Sequence, residues 1–350
     1  MRNNRKSPGE REEKRFRISS RQALRRMRRA YAMGEEGALQ AAYEDVRWRT
    51  RTFRAILAAL ERVYPMSGFV KFAGEVDRGI RTTGLAPTCT WAIDRLGLQC
   101  RFAISDATRD VLDKSPVIIY GNHPTLLTPF LIAAAVDRPD LRFFMLSYVG
   151  RLVPSLRRYM LPLELSRPRR WTEWRRGGTR RMISHWITET LEKERVQEAP
   201  KLSNRRRLAQ GVDHLRQGGC VVIFPSGGGK GNQAWYPGIG VLAKTLLTGP
   251  EASDVYLVPM HEGKSSNRHV YASLKRVGDR AGPNVGQRLG PMTLHFGEPI
   301  RLGDLVHADE SPAQTAARLH AHYDGLFPPP RGRLAWLRWL TPWRYAWNRR

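Results

Sequence analysis

Two uninterrupted apolar runs, Val117-Ile118-Ile119-Tyr120 and Val221-Val222-Ile223-Phe224, each break abruptly into a loop rich in glycine, proline and polar residues. A short run of β-branched and aromatic residues with no polar alternation suits a strand covered on both faces, which points to an α/β sheet. Loops that follow such strands are where this kind of scaffold presents its chemistry. The first loop, Gly121 to Phe130, carries His123; the second, Pro225-Ser226-Gly227-Gly228-Gly229-Lys230-Gly231, is a glycine-rich turn ending in a cation. Though about 100 residues apart in the chain, the two loops are able to face one pocket.

The surrounding pattern supports the same class. Segments 98–104, 117–121, 142–147, 220–224, 255–260 and 292–296 read as strands, with helical patterns around 127–136, 204–217 and 238–248. Upstream, Leu39, Tyr43, Val46, Phe53, Ile56, Leu57, Leu60 and Tyr64 recur mostly every three or four residues and mark an amphipathic helix or helix pair before Pro65. The expected organisation is a basic arm over 1–30, a helical segment over 31–89, an α/β domain over 90–310 and a C-terminal helix and tail over 311–350.

The chain has 350 residues, 41% of them apolar, which is enough for a full core. Its formal charge of +27 is uneven, with net +9 in residues 1–30, +8 in 151–181 and +6 in 331–350. Such patches attract nucleic acid, an anionic bilayer, or phosphorylated and coenzyme A substrates alike. Residues 1–30 read as a solvated, partly disordered arm. Three cysteines, Cys89, Cys100 and Cys220, lack paired spacing and indicate neither a disulfide framework nor a zinc site. No apolar stretch is long enough for a membrane span or a secretory signal, and Glu10, Glu12 and Glu13 argue against an organelle transit peptide. The expected location is cytoplasmic, peripheral on the cytoplasmic membrane face. The tail RGRLAWLRWLTPWRYAWNRR (331–350) interleaves tryptophan with arginine. That composition suits an anionic phospholipid surface, the alternative being a terminal helix that docks its tryptophans on the protein's own core. Because these tryptophans cluster without a recognisable RNA-binding motif, nucleic acid is disfavoured as a partner.

An imidazole titrates near neutrality, so His123 is a candidate general base. Gly227, Gly228 and Gly229 can turn successive amides toward an anion, with Lys230 adding charge. A nucleotide P-loop is excluded, since it would require glycine where Phe224 stands and a hydroxyl residue at Gly231.

Taken in order, these segments resemble the phospholipid/glycerol acyltransferase family, in its lysophosphatidate acyltransferase-like branch. Asn122-His123 matches the start of NHxxxxD, and Phe224-Pro225 with Gly227 matches FPEGTRS. Trp235-Tyr236-Pro237-Gly238 followed by Leu242-Ala243 has the spacing of FKxG and its helix. Val258-Pro259-Met260 looks like VPV, and Phe296-Gly297-Glu298-Pro299-Ile300 like the closing strand end. Leu163-Glu164-Leu165-Ser166-Arg167 is the best candidate for the arginine motif, with Arg169 and Arg170 as competitors. The resemblance implies a central mixed sheet flanked by helices. It also implies His123 as the base that deprotonates a glycerolipid hydroxyl, and an acyl thioester on coenzyme A or acyl carrier protein as co-substrate. Asn122, Arg167, Phe224, Pro225, Ser226, Gly227, Gly228, Gly229 and Lys230 would bind a phosphorylated glycerolipid acceptor, with no metal and no bound cofactor.

The chain departs from the family at two places. Thr128 stands where the motif has aspartate; Ser226 and Gly229 replace its glutamate and arginine. A threonine hydroxyl can accept the imidazole N–H and fix its tautomer but cannot stabilise imidazolium by charge. In serine proteases a neutral substitute for the triad aspartate costs about 10⁴ in turnover. Glu164 and Asp213 are the candidate replacement carboxylates, Lys230, Arg167 or Lys264 the replacement cations, and Thr128→Asp is expected to leave activity intact or raise it. A catalytically silent lipid-binding protein with the same fold is the alternative.

Overall fold

The computed structural model describes residues 20–35, 37–49, 61, 64–164, 200–227, 235–249, 254–263, 267–278 and 291–328. Four helices come first: α1 (Ser20–Met33), α2 (Ala38–Arg49), α3 (Met66–Thr83) and α4 (Leu85–Arg95). Then follow β1 (Cys100–Ala103), α5 (Asp106–Lys114), β2 (Val117–Gly121), α6 (Thr128–Ala135), β3 (Arg142–Leu146), α7 (Val149–Leu152), a 3₁₀ turn at Pro154–Tyr159 and β4 (Met160–Leu163). The remainder comprises α8 (Pro200–Arg216), β5 (Cys220–Ile223), α9 (Gly238–Leu247), β6 (Tyr256–Gly263), α10 (Asn267–Val277), β7 (Met292–Phe296), β8 (Ile300–Arg301), α11 (Leu302–Leu305) and α12 (Pro312–Leu326).

The strands form one mixed, mostly parallel sheet in the order β1-β7-β6-β2-β5-β3-β4, with β8 also paired to β6. β2 lies between β5 and β6 and is parallel to both. Its two neighbours and two covered faces explain why its sequence never alternates. Ile118 and Tyr120 face Val212 of α8, Leu242 of α9 and Leu319 of α12. Val117 and Ile119 face Val76 of α3, Ala92 of α4, Leu131 of α6 and Leu274 of α10. The four side chains are completely buried, and each contributes about 1.5–3 kcal/mol of hydrophobic stabilisation. The result is an α/β fold with helices on both faces of the sheet.

Local sequence sets several boundaries. α12 starts at a capping box, in which the Ser311 hydroxyl accepts from the Gln314 amide and the Gln314 side chain accepts from the Ser311 N–H, with Pro312 in the first turn. Pro259 sits inside β6, where its carbonyl accepts from Gly297 N–H at 2.8 Å. Its nitrogen therefore points to the same edge, at the joint between the pairing with β8 and that with β7, where no ladder donor is needed.

All six expected strands form, as do the three expected helices. The basic arm expected over 1–30 is helical from Ser20: Met27, Ala30 and Tyr31 are spaced for one face and are buried, while Arg26 pairs with Asp45 at 2.7 Å. Its first 19 residues, the tail 331–350 and most of the insert 166–203 lie outside the described residues. α2 and α3 fall within the helical segment expected over 31–89, and α4 overruns its end to Arg95; β4, β8 and α5 carry no distinct expectation, and Met160-Leu161-Pro162-Leu163 is too short and proline-interrupted to read as a strand without its neighbour β3. The three arginines of the 151–181 patch that lie among the described residues, Arg151, Arg157 and Arg158, make internal contacts. Arg158 donates to the Ile80 carbonyl at the end of α3 and covers the Tyr159 ring, Arg157 donates to the Gly150 carbonyl, and Arg151 lies over Tyr31. Arg158 and Arg151 tie α3 and α1 to the segment between β3 and β4.

Candidate functional site

β2 and β5 run in register, with Tyr120 beside Ile223, so the loops that leave their C-terminal ends emerge side by side. The His123 and Phe224 rings stack with centroids 4.6 Å apart and planes 21° from parallel. The two segments singled out in the sequence therefore meet. Phe224 is half-buried, Pro225 and Ser226 are buried, and Gly227 is exposed.

The turn after β5 is tighter than an anion cradle at its first glycine. Gly227 has φ +55°, in the left-handed region where glycine is favoured, and its N–H donates to the Phe224 carbonyl at 2.9 Å. That amide is committed to the turn. The Pro225 carbonyl accepts from Tyr236 N–H at 3.0 Å, which joins the far end of the loop to the strand end. The buried Ser226 hydroxyl has no hydrogen-bond partner among the described residues. Gly228, Gly229, Lys230, Arg167 and Lys264 lie outside those residues.

The His123 loop is held from its other side by β6. Gly121 sits so close to Met260 that a Cβ there would run into the Met260 carbonyl oxygen. One residue on, the Asn122 amide pairs with the Glu262 backbone in both directions: its Nδ2 donates to the Glu262 carbonyl at 3.0 Å, and its Oδ1 accepts from the Glu262 N–H at 2.8 Å. Asn122 thus continues the β2–β6 ladder with its side chain after the β2 backbone has turned away.

The Glu262 side chain, only 2% exposed, reaches back into the loop. Thr125 Oγ1 donates to one carboxylate oxygen at 2.8 Å, and Thr128 Oγ1 is hydrogen-bonded to the other. Thr125 Oγ1 also accepts from Leu127 N–H at 3.2 Å, and Thr128 Oγ1 lies 2.9 Å from the Thr125 carbonyl. Thr128, completely buried at the start of α6, is therefore turned to Glu262, a different partner from the imidazole expected for it. Burial, and after it the Glu262 charge, push the Cys100 thiol up to about 12, which rules out Cys100 as a thiolate at neutral pH.

The carboxylates proposed from sequence are engaged elsewhere. Glu164, after β4, accepts from the Ser147 hydroxyl at 2.8 Å, and Asn204 brackets its backbone. Asp213 lines a separate surface cleft with Arg142 and His214. Glu262 escaped notice, although an acid at the end of the apolar segment 255–260, two residues beyond Met260 and on its face, was the available signal.

On the opposite face of the sheet, His261 Nδ1 lies 2.6 Å from the Tyr323 hydroxyl and its ring stacks on Phe327. Tyr120 Oη lies 3.0 Å from His322 Nδ1, and Trp235 packs between Tyr120, His320 and Tyr323. This aromatic layer seats α12 under the strand ends. Among the described residues no group of three or more His, Cys, Asp or Glu side chains is arranged to hold a metal ion, and no helix is long and apolar enough to cross a membrane. Compared with protein-family models, with curated proteins and with solved structures, the chain finds no match in any of the three.

Proposed function

We propose that this chain is a glycerolipid-type acyltransferase that works at a membrane surface, with His123 as its general base. The observation that carries the reading is the stack of the His123 ring on Phe224, since it joins the base to the turn expected to hold the acceptor. In the proposed reaction the imidazole takes the proton of an acceptor hydroxyl as that oxygen attacks the carbonyl carbon of an acyl thioester. The tetrahedral adduct collapses, the C–S bond breaks, and the thiolate recovers the proton from the imidazolium. Ester and free thiol leave.

The buried Ser226 hydroxyl suits this reading as a donor that a bound oxyanion or phosphate would satisfy. The acyl donor would be acyl-coenzyme A or acyl-acyl carrier protein and the acceptor a phosphorylated glycerolipid. The finer fold assignment, an acyltransferase-type sheet, belongs to the same proposal. A membrane-docked tail over 331–350 and a cytoplasmic-face location complete it.

The test is thioester consumption by purified protein on anionic liposomes, followed by thiol release across a panel of lyso-lipid acceptors. Wild-type turnover that falls at least about 10²-fold in His123→Ala supports the proposal. Undiminished turnover in that variant removes the mechanism. Lipid binding with no turnover by the wild type supports the silent lipid-binding reading, which the threonine at position 128 favours.

A further inference from the structure

We infer that Glu262 takes the part of the carboxylate missing at position 128, as the positioning residue for His123. The family pattern puts an acid five residues after the histidine; here that place holds Thr128, whose hydroxyl is hydrogen-bonded to the Glu262 carboxylate. An aspartate at 128 and the present Glu262 would bring their carboxylates to nearly the same spot. The negative charge has moved from α6 to β6, and the threonine has become the neutral group that receives it.

Glu262 grips the residues on both sides of the imidazole. Asn122, immediately before His123, is fixed by the Glu262 backbone, and Thr125, two residues after, by its carboxylate. Fixing both flanks sets the course of the backbone that carries His123, the ring itself lies stacked on Phe224, and the carboxylate adds a buried negative charge at the loop. The described groups around this carboxylate are these. Directly opposite it in β7 is the apolar Leu294; Cys100 of β1 is held as a neutral thiol; His261 belongs to the other face of β6, opposite His295. From the β5 side the loop meets the Phe224 ring.

The catalytic consequence rests on the acyl-transfer reading, whereas the electrostatic coupling of Glu262 to His123 does not, so the experiment has two arms. Full-length protein carrying ¹³C-labelled histidine is titrated by NMR, with His123 assigned from His123→Gln. It is compared with Glu262→Gln, Thr128→Asp and the double variant Thr128→Asp/Glu262→Gln. Loss of the buried negative charge in Glu262→Gln is expected to lower the His123 pKa by roughly one unit, and the double variant to restore it. In parallel, kcat should fall on the order of 10²-fold or more in Glu262→Gln with KM within about threefold, and recover at least tenfold in the double variant. Thr128→Asp alone, contrary to the expectation from sequence, should lose activity and thermal stability, because two carboxylates are forced together.

An unmoved His123 pKa in Glu262→Gln overturns the inference, while the His123→Ala result still decides the function. A shifted pKa in a protein without turnover keeps the electrostatic coupling of Glu262 to His123 and removes the acyltransferase reading. If Glu262→Gln does not fold, the double variant decides. Folded with a wild-type imidazole titration, it upholds the relocated carboxylate; unfolded, or folded with the lowered pKa, it overturns it.

Discussion

The Asn122 clamp gives the most direct measure of what holds the candidate base in place. Asn122→Ala removes a donor and an acceptor together and leaves both the N–H and the carbonyl of buried Glu262 without that partner. A buried polar backbone group stripped of its partner costs about 1–3 kcal/mol. The two groups lie on one residue, so their losses partly overlap, and the expected destabilisation is about 2–5 kcal/mol. Thermal unfolding should show this as a drop in Tm of roughly 3–7 °C. Asn122→Asp separates the two bonds: it still accepts from the Glu262 N–H but cannot donate to the carbonyl while ionised, and it adds a negative charge close to Glu262. At pH 7 it should be at least as unstable as the alanine variant. Toward pH 4 the protonated acid regains a donor, and the gap to wild type should narrow. A cost below about 0.5 kcal/mol for Asn122→Ala, or an aspartate variant more stable than the alanine one at pH 7, would refute the claim that this amide fixes the loop.

Two other perturbations probe the layer beneath α12. Gly240→Ala should lower Tm by several degrees, because a Cβ at Gly240 would run into the backbone carbonyl of Pro312 where α9 and α12 cross; overpacking of this kind costs about 1–3 kcal/mol, and an unchanged Tm would mean that the helices separate freely. Burial, and next the His295 charge, hold His261 below the usual imidazole range, so the folded protein keeps it neutral where the unfolded chain takes up a proton. The stability this contributes is complete above about pH 6.5 and is lost as pH falls through the folded value, so His261→Gln should flatten the acid limb of the unfolding free energy, and an identical limb would show that His261 plays no part in it.

Much of the sheet was legible because its inner strands are covered on both faces, which forces an unbroken apolar run and makes β2 and β5 stand out without any alignment. The loops after them were legible for the same reason: glycine, proline and histidine interrupt the apolar pattern sharply. What failed were features set by neighbours in space. Among the described residues β4 is four residues that pair with β3 alone, and β8 two residues that pair with β6 alone, so neither has a pattern of its own. The positive charge of 151–181 counted arginines without showing where their guanidinium groups go. Arg151, Arg157 and Arg158 turn out to cap helix ends and cover aromatic rings.

The carboxylate nearest the His123 loop is hidden in the sequence for a related physical reason. Glu164 and Asp213 were candidates because they lie in plausible loops and helices, but the group beside a base is chosen by strand order. β2 is flanked by β5 on one edge and β6 on the other. Residues just past the end of β2 are therefore met by two sets of side chains: those that follow β5, which supply Phe224, and those at the end of β6, which supply Glu262. β6 outruns β2, extending three residues beyond the Met260 that pairs with Gly121, and that overhang carries Glu262 level with the His123 loop. An acid in that overhang is costly to bury unless hydrogen bonds satisfy it, and two threonine hydroxyls of the loop now do so. Thr128 and Glu262 are therefore one arrangement: the carboxylate that arrives from the neighbouring strand stays buried because hydroxyls, not a second carboxylate, receive it at the start of α6.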